Sequence, residues 1–102
     1  MSASARVRLD LNSPTFQRQL FSLPKGEQHG VLLTLRKLSE MSWDQVYRDS
    51  GLHWEAVHSK IGSGQERLYS IRMGKAFRAI CYRENDWLRL VSLHPDHDSA
   101  YS

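Results

Sequence analysis

Apolar positions change period several times along the chain. Val7, Leu9 and Leu11 alternate with Arg6, Arg8 and Asp10, which predicts a short strand with one buried face. The period then lengthens. Phe16, Leu20 and Leu23 recur at i, i+4 and i+7, one face of a helix. Asn12-Ser13-Pro14 supplies its start: a capping side chain, then a proline where the missing N–H costs nothing. Leu23-Pro24 ends it, because the residue before a proline resists the α conformation. A second helical stripe over 26–41 carries Val31, Leu35 and Leu38, widened by Leu32 and Met41. A connection this short predicts an antiparallel helical hairpin. Ser42 with Gln45 three residues on makes a capping box for a brief helix over 43–49, closed by Ser50-Gly51. Trp43 and Tyr47 share one face of it and read as core cover. Segment 53–61 fits either an irregular connection or a strand with Trp54, Ala56 and His58 on one face. Residues 62–66 form a loop. Residues 1–5 are small and polar and are expected to fray into disorder.

From 68 onward the period is two: LYSIRMGKAFRAICYRENDWLRLVSLHPDHDSAY. Parity decides the geometry, since a slip of one residue would flip every side chain to the other face. Tyr69, Ile71 and Met73 must face the core with Phe77, Ala79 and Cys81. An odd loop, Gly74-Lys75-Ala76, achieves this and sets Met73 against Phe77 and Arg72 against Arg78. A two-residue Gly-Lys loop would instead set Ile71 against Arg78. The next hairpin needs an even loop, Asn85-Asp86, so that Leu88 and Leu90 join Ala79 and Cys81. Arg89 then falls on the face of Arg72, Arg78 and Tyr82, with Trp87 and Val91. Ile80, Val91 and Leu93 are expected among these arginines. The face is then partly apolar, as a docking face for another chain would be.

The elements amount to an α+β fold: an N-terminal strand and a helical hairpin packed on one face of a small, mainly antiparallel sheet. A chain of 102 residues makes a single domain, 1–102. The lone cysteine, Cys81, excludes an intrachain disulfide and reads as a small core residue. No apolar run is long enough to span a membrane, and no apolar signal segment opens the chain, so a cytoplasmic protein is expected. The formal net charge of +3 points to a nucleic acid or an acidic protein as partner, or simply to a solvated basic surface.

Acid–base groups crowd the end of the chain. His94, Asp96, His97, Asp98 and Tyr101 follow the last strand, and Pro95 is expected to break its ladder. The spacing has the residue types of a metal site, but the groups are local and unsupported by a second cluster, so no metal is assigned. Histidine moves protons near neutral pH. RNA cleavage gives these groups one task. A base takes the ribose 2′-hydroxyl proton, the oxygen attacks phosphorus, and an acid protonates the leaving 5′-oxygen. Preplaced arginines stabilise the charge on the phosphoryl oxygens. The reaction requires no cofactor.

The order of strand, helical hairpin and antiparallel sheet resembles the RelE/ParE superfamily of toxins from type II toxin–antitoxin systems. LYSIRMGKAFRAICY is similar to the YSIR…WRI segment of the RelE-like and HigB-like branches, and HPDHDSAY resembles RelE-type tails. The resemblance implies a ribosome-dependent, metal-independent mRNA endonuclease that inhibits translation. Its partners would be the ribosome, mRNA and a cognate antitoxin that neutralises it in a hetero-oligomer. It implies that Arg72 and Arg78 hold the scissile phosphate, that His94 or His97 acts as acid or base, and that Tyr101 stacks on or activates the substrate. Lys75, Arg89 and Lys60 would add phosphate contacts. A ParE-like gyrase inhibitor and a non-catalytic antitoxin-binding module are the alternatives.

Overall fold

The computed structural model describes residues 4–61, 67–75 and 77–95, with only the backbone described over 58–61. The elements run β1 (Arg8–Asp10), α1 (Pro14–Phe21), α2 (Lys25–Ser39), α3 (Trp43–Arg48), β2 (Glu55–Ile61), β3 (Arg67–Met73), β4 (Phe77–Glu84) and β5 (Trp87–Pro95). The sheet order is β1-β5-β4-β3-β2. The β1–β5 pair is parallel and the others are antiparallel. The expected α+β architecture is the observed one.

Local chemistry starts α1 and α3 as the sequence indicates. The Ser13 hydroxyl accepts from the Phe16 N–H at 3.2 Å, with Pro14 in the first turn. Ser42 and Gln45 form both halves of the capping box, at 3.2 and 2.8 Å. Phe16, Leu20, Val31, Leu35 and Leu38 are buried from the helix side against Ile71, Met73, Ala79, Cys81, Leu88 and Leu90 of the sheet. Leu32 does not widen the α2 stripe: it is 47% exposed. Trp43 is core, but Tyr47 is 46% exposed rather than core cover. Ser4 and Ala5, expected to fray, are tied to α3 through Asp44 N–H to Ser4 Oγ at 3.0 Å and Trp43 N–H to Ala5 O at 2.9 Å. No described helix is long and apolar enough to cross a membrane.

The segment left open between strand and connection is the edge strand β2. Its Ala56 opposes Tyr69, and Trp54 just before it stacks on Tyr69 at 4.5 Å between centroids. Both rings pack on the helix-side core. The β3–β4 register is the one parity demands: Met73 opposes Phe77 and Arg72 opposes Arg78. Glu84 opposes Trp87 across Asn85-Asp86, where Asn85 takes the left-handed backbone (φ 55°) that such a two-residue turn requires.

One feature of β5 departs from simple alternation. Cys81 opposes Leu90, but Ile80 opposes Ser92, so Val91 is an extra residue, a β-bulge. Past the bulge the faces exchange. Leu93, expected among the arginines, opposes Ala79 and is buried in the main core. His94, expected beyond the last strand, lies inside it opposite Arg78. Pro95, expected to break the ladder, is paired in it opposite Phe77 as the last residue of β5. On the face away from the helices, Val57, Leu68 and Ile80 form a second small cluster with Tyr82 and Val91.

Candidate functional site

Three adjacent strands bring Arg72, Arg78 and His94 abreast on the helix-free face, in the registers Arg72↔Arg78 and Arg78↔His94. Neighbouring strands lie about 4.8 Å apart, so the three side chains form one row. The next row on that face is Glu55, Ser70, Ile80 and Ser92.

Arg78 is the centre of this arrangement. It is only 4% exposed. Its Nη2 donates to Ser70 Oγ at 2.7 Å and to the His53 carbonyl at 3.1 Å. Its Nε is buried without a hydrogen-bond partner. Among the described residues no carboxylate pairs with it. A guanidinium stays charged in proteins, and burying a charge without a counter-ion is costly. Among the described residues the Arg78 guanidinium is met only by the Ser70 hydroxyl and the His53 carbonyl. Arg72 is exposed, and its backbone N–H donates to the Leu52 carbonyl at 2.7 Å. His94 is half-buried and shares a hydrogen bond of 2.8 Å between its Nε2 and Ser92 Oγ. Burial pushes the nearby Cys81 thiol far up, against a smaller lowering by the Arg78 charge, so it is a core residue and not a nucleophile.

The structure keeps other expected site residues away from this row. Arg89 opposes Tyr82, four residues along β4 from Arg78, or about 13 Å. It is spent in ion pairs with Asp10 and, at 2.6 Å, with Glu84. Burial alone would raise the Asp10 carboxyl, but the Arg89 hydrogen bond, the Asn12 N–H and the Arg89 charge outweigh it and hold the carboxyl below its usual range. Lys75 sits exposed at the hairpin tip. It lines a cleft of about 500 Å³ between that tip and α2, with Leu33, Thr34, Met73 and Phe77. The Lys60 side chain, His97 and Tyr101 lie outside the described residues, as do Asp96 and Asp98. Among the described residues no group of His, Cys, Asp and Glu is arranged to hold a metal ion.

Four polar residues at the site were not singled out by the sequence: His53, Glu55, Ser70 and Ser92. Ser70 shares its parity with Arg72, so alternation alone was enough to find it. Ser92 required the bulge. His53 and Glu55 belong to the segment whose strand character periodicity left open. His53 takes a left-handed backbone (φ 51°), and its Nε2 lies 2.8 Å from Glu55 Oε1.

No protein-family model matches the sequence, and no curated protein matches it either. A solved structure does. The chain is similar to one from the crystal structure of the archaeal RelE–RelB complex of Pyrococcus horikoshii OT3, with a TM-score of 0.60 and 21% identity, covering 95% of this chain and 100% of that one. The fold is thus of the RelE type that the sequence resemblance implied.

Proposed function

We propose that this chain is the toxin of a toxin–antitoxin pair, an endoribonuclease that cleaves mRNA on the ribosome. The observation that carries the reading is the row Arg72–Arg78–His94, with Arg78 buried and without a carboxylate partner among the described residues. A phosphodiester is the anion such a row suits. The exposed Arg72 meets the phosphoryl oxygens. Arg78 supplies fixed positive charge from below, in a setting where water does not screen it. His94 protonates or deprotonates at the flank. His97 and Tyr101 keep the roles that the resemblance implies, as acid or base and as the stacking or activating tyrosine. The ribosome would present the mRNA, and a cognate antitoxin would cover the same partly apolar face. The toxin would act in the cytoplasm.

One observation favours a second reading. Arg78 is too buried to grip a substrate as found, which suits a module that only binds an antitoxin.

Inducing the chain in bacteria and mapping ribosome-bound mRNA separates the two. Growth arrest with mRNA cut on ribosomes, lost in Arg72→Ala, supports the ribonuclease. Growth arrest over intact mRNA rejects it, and a harmless chain that binds the product of an adjacent gene supports the binding module.

A further inference from the structure

The arginine row has histidines on both sides, and only one of them lies on β5. On the far side stands His53, just before the edge strand β2. Its carbonyl and Ser70 Oγ share the Nη2 of Arg78, at 3.1 and 2.7 Å. Glu55 lies opposite Ser70 in the β2–β3 register. The His53–Glu55 pair therefore borders the buried arginine directly. It is also open: the two side chains are 56% and 46% exposed, so a ligand on the row can reach them.

The backbone around His53 is held in place. Its φ of 51° is uncommon for a residue with a side chain. Asn85, the other such residue among those described, is explained by its hairpin turn. At His53 the conformation is fixed by Asp49, whose carbonyl accepts from the His53 N–H at 3.2 Å and whose Oδ1 accepts from Leu52 N–H at 2.9 Å. The Leu52 carbonyl in turn accepts from Arg72 N–H at 2.7 Å. The turn that carries His53 is thus bonded to both arginine positions. Backbone strain of this kind concentrates at functional sites.

We infer that His53 is the catalytic base of the site and that Glu55 is its positioning residue. This rests on the ribonuclease reading. Glu55 accepts the Nε2 proton, which leaves Nδ1 as the acceptor of the ring. His53 Nδ1 takes the proton of the ribose 2′-hydroxyl. The 2′-oxygen forms a bond to phosphorus, and the bond from phosphorus to the 5′-oxygen breaks. The leaving oxygen takes a proton from the His94 imidazolium on the other flank. The products are a 2′,3′-cyclic phosphate and a 5′-hydroxyl. No co-reactant is consumed, and exchange with water resets both rings. Charged groups on the elements around His53 are Glu55 beside it, Arg72 on β3, Arg78 on β4, and the Lys37–Asp49 pair between α2 and α3.

The test is single-turnover cleavage of mRNA on programmed ribosomes, as a function of pH. His53→Gly is the informative variant, because glycine accepts φ 51° without strain and keeps the carbonyl that holds Arg78. We expect a loss of about 100-fold or more, disappearance of the acid limb of a bell-shaped profile, and partial recovery with added imidazole. Glu55→Gln should cost about tenfold and move that limb. A His53→Gly protein that cleaves at the wild-type rate overturns the inference while the wild-type activity upholds the ribonuclease reading. A loss that imidazole does not restore, accompanied by a lower melting temperature, shows a structural role and also overturns it. A wild-type chain that cleaves nothing removes both readings at once.

Discussion

Arg78 and His94 face each other across β4 and β5 because β5 holds one residue too many, at Val91. Strict alternation from Leu88 and Leu90 would have sent His94 toward the helices and Leu93 toward the arginines. The bulge exchanges them. Bulges recur where a strand must re-aim a side chain.

Deleting Val91 should therefore leave both residues on their present faces. Leu90, Ser92, Leu93 and His94 then alternate without a bulge, with Leu93 still opposite Ala79 and His94 still opposite Arg78. We expect a urea midpoint close to wild type and cleavage retained. A deletion variant that loses about 2–5 kcal/mol, the cost of a lost core leucine, would show that the extra residue is not what sorts these two side chains.

The buried guanidinium of Arg78, with no carboxylate partner among the described residues, predicts a ligand effect on folding. Inorganic phosphate should stabilise the fold with the logarithm of its concentration, by about 2.7 kcal/mol at 100-fold above Kd, read as a higher melting temperature. Arg78→Met should abolish the phosphate effect and leave the basal melting temperature near or above wild type, since it removes a buried charge that has no carboxylate partner among the described residues. Calorimetry with and without phosphate checks both. A phosphate effect that survives in Arg78→Met places the anion elsewhere.

Gly74 holds the tip of the arginine hairpin against α2. Its φ is 78°, and a Cβ there would lie 3.3 Å from the Gly30 carbonyl carbon. Its N–H donates to Thr34 Oγ1 at 3.1 Å. Gly74→Ala should cost about 1–2 kcal/mol from the backbone conformation alone, with crowding against α2 added. Thr34→Val should cost about 1 kcal/mol through the lost hydrogen bond. Urea unfolding measures each, and an unchanged Gly74→Ala midpoint would contradict the clamp.

Acid stability follows from two carboxylates. Asp49 is held below its usual range first by the hydrogen bond from Lys37, against burial, and then by the Leu52 N–H and the Lys37 charge. Asp10 is likewise lowered on balance. A carboxyl depressed in the folded state contributes stability above its unfolded pKa, near 3.8, and the contribution is lost as pH falls through the folded value. The melting temperature should be flat with respect to these groups above about pH 5 and drop below about pH 4. In Asp49→Asn the drop should be shallower, starting from a lower plateau. Both pairs are partly exposed, so the effect should shrink in high salt.

Alternation and turn length were enough to place most of the sheet. The core faces of Tyr69, Ile71, Met73, Phe77, Ala79 and Cys81, the odd loop at 74–76, and the opposition of Arg72 to Arg78 all follow from the period-two constraint, which allows only one register per hairpin. The caps at Ser13 and Ser42 were equally legible, because they depend on neighbours within three residues. What alternation could not contain was any event that breaks it. The bulge at Val91 is one inserted residue, invisible in a run of apolar positions where either parity buries something. It alone decided that His94 belongs to the site. Arg78 is bonded by Ser70 of its own hairpin, which alternation could place, but also by the His53 carbonyl, 25 residues away, and Arg89 was withdrawn from the row by Asp10, at the other end of the chain. Local sequence fixes what each segment can be. Which acid meets which arginine, and which histidine reaches it, is set by contacts between segments that only the folded sheet brings together.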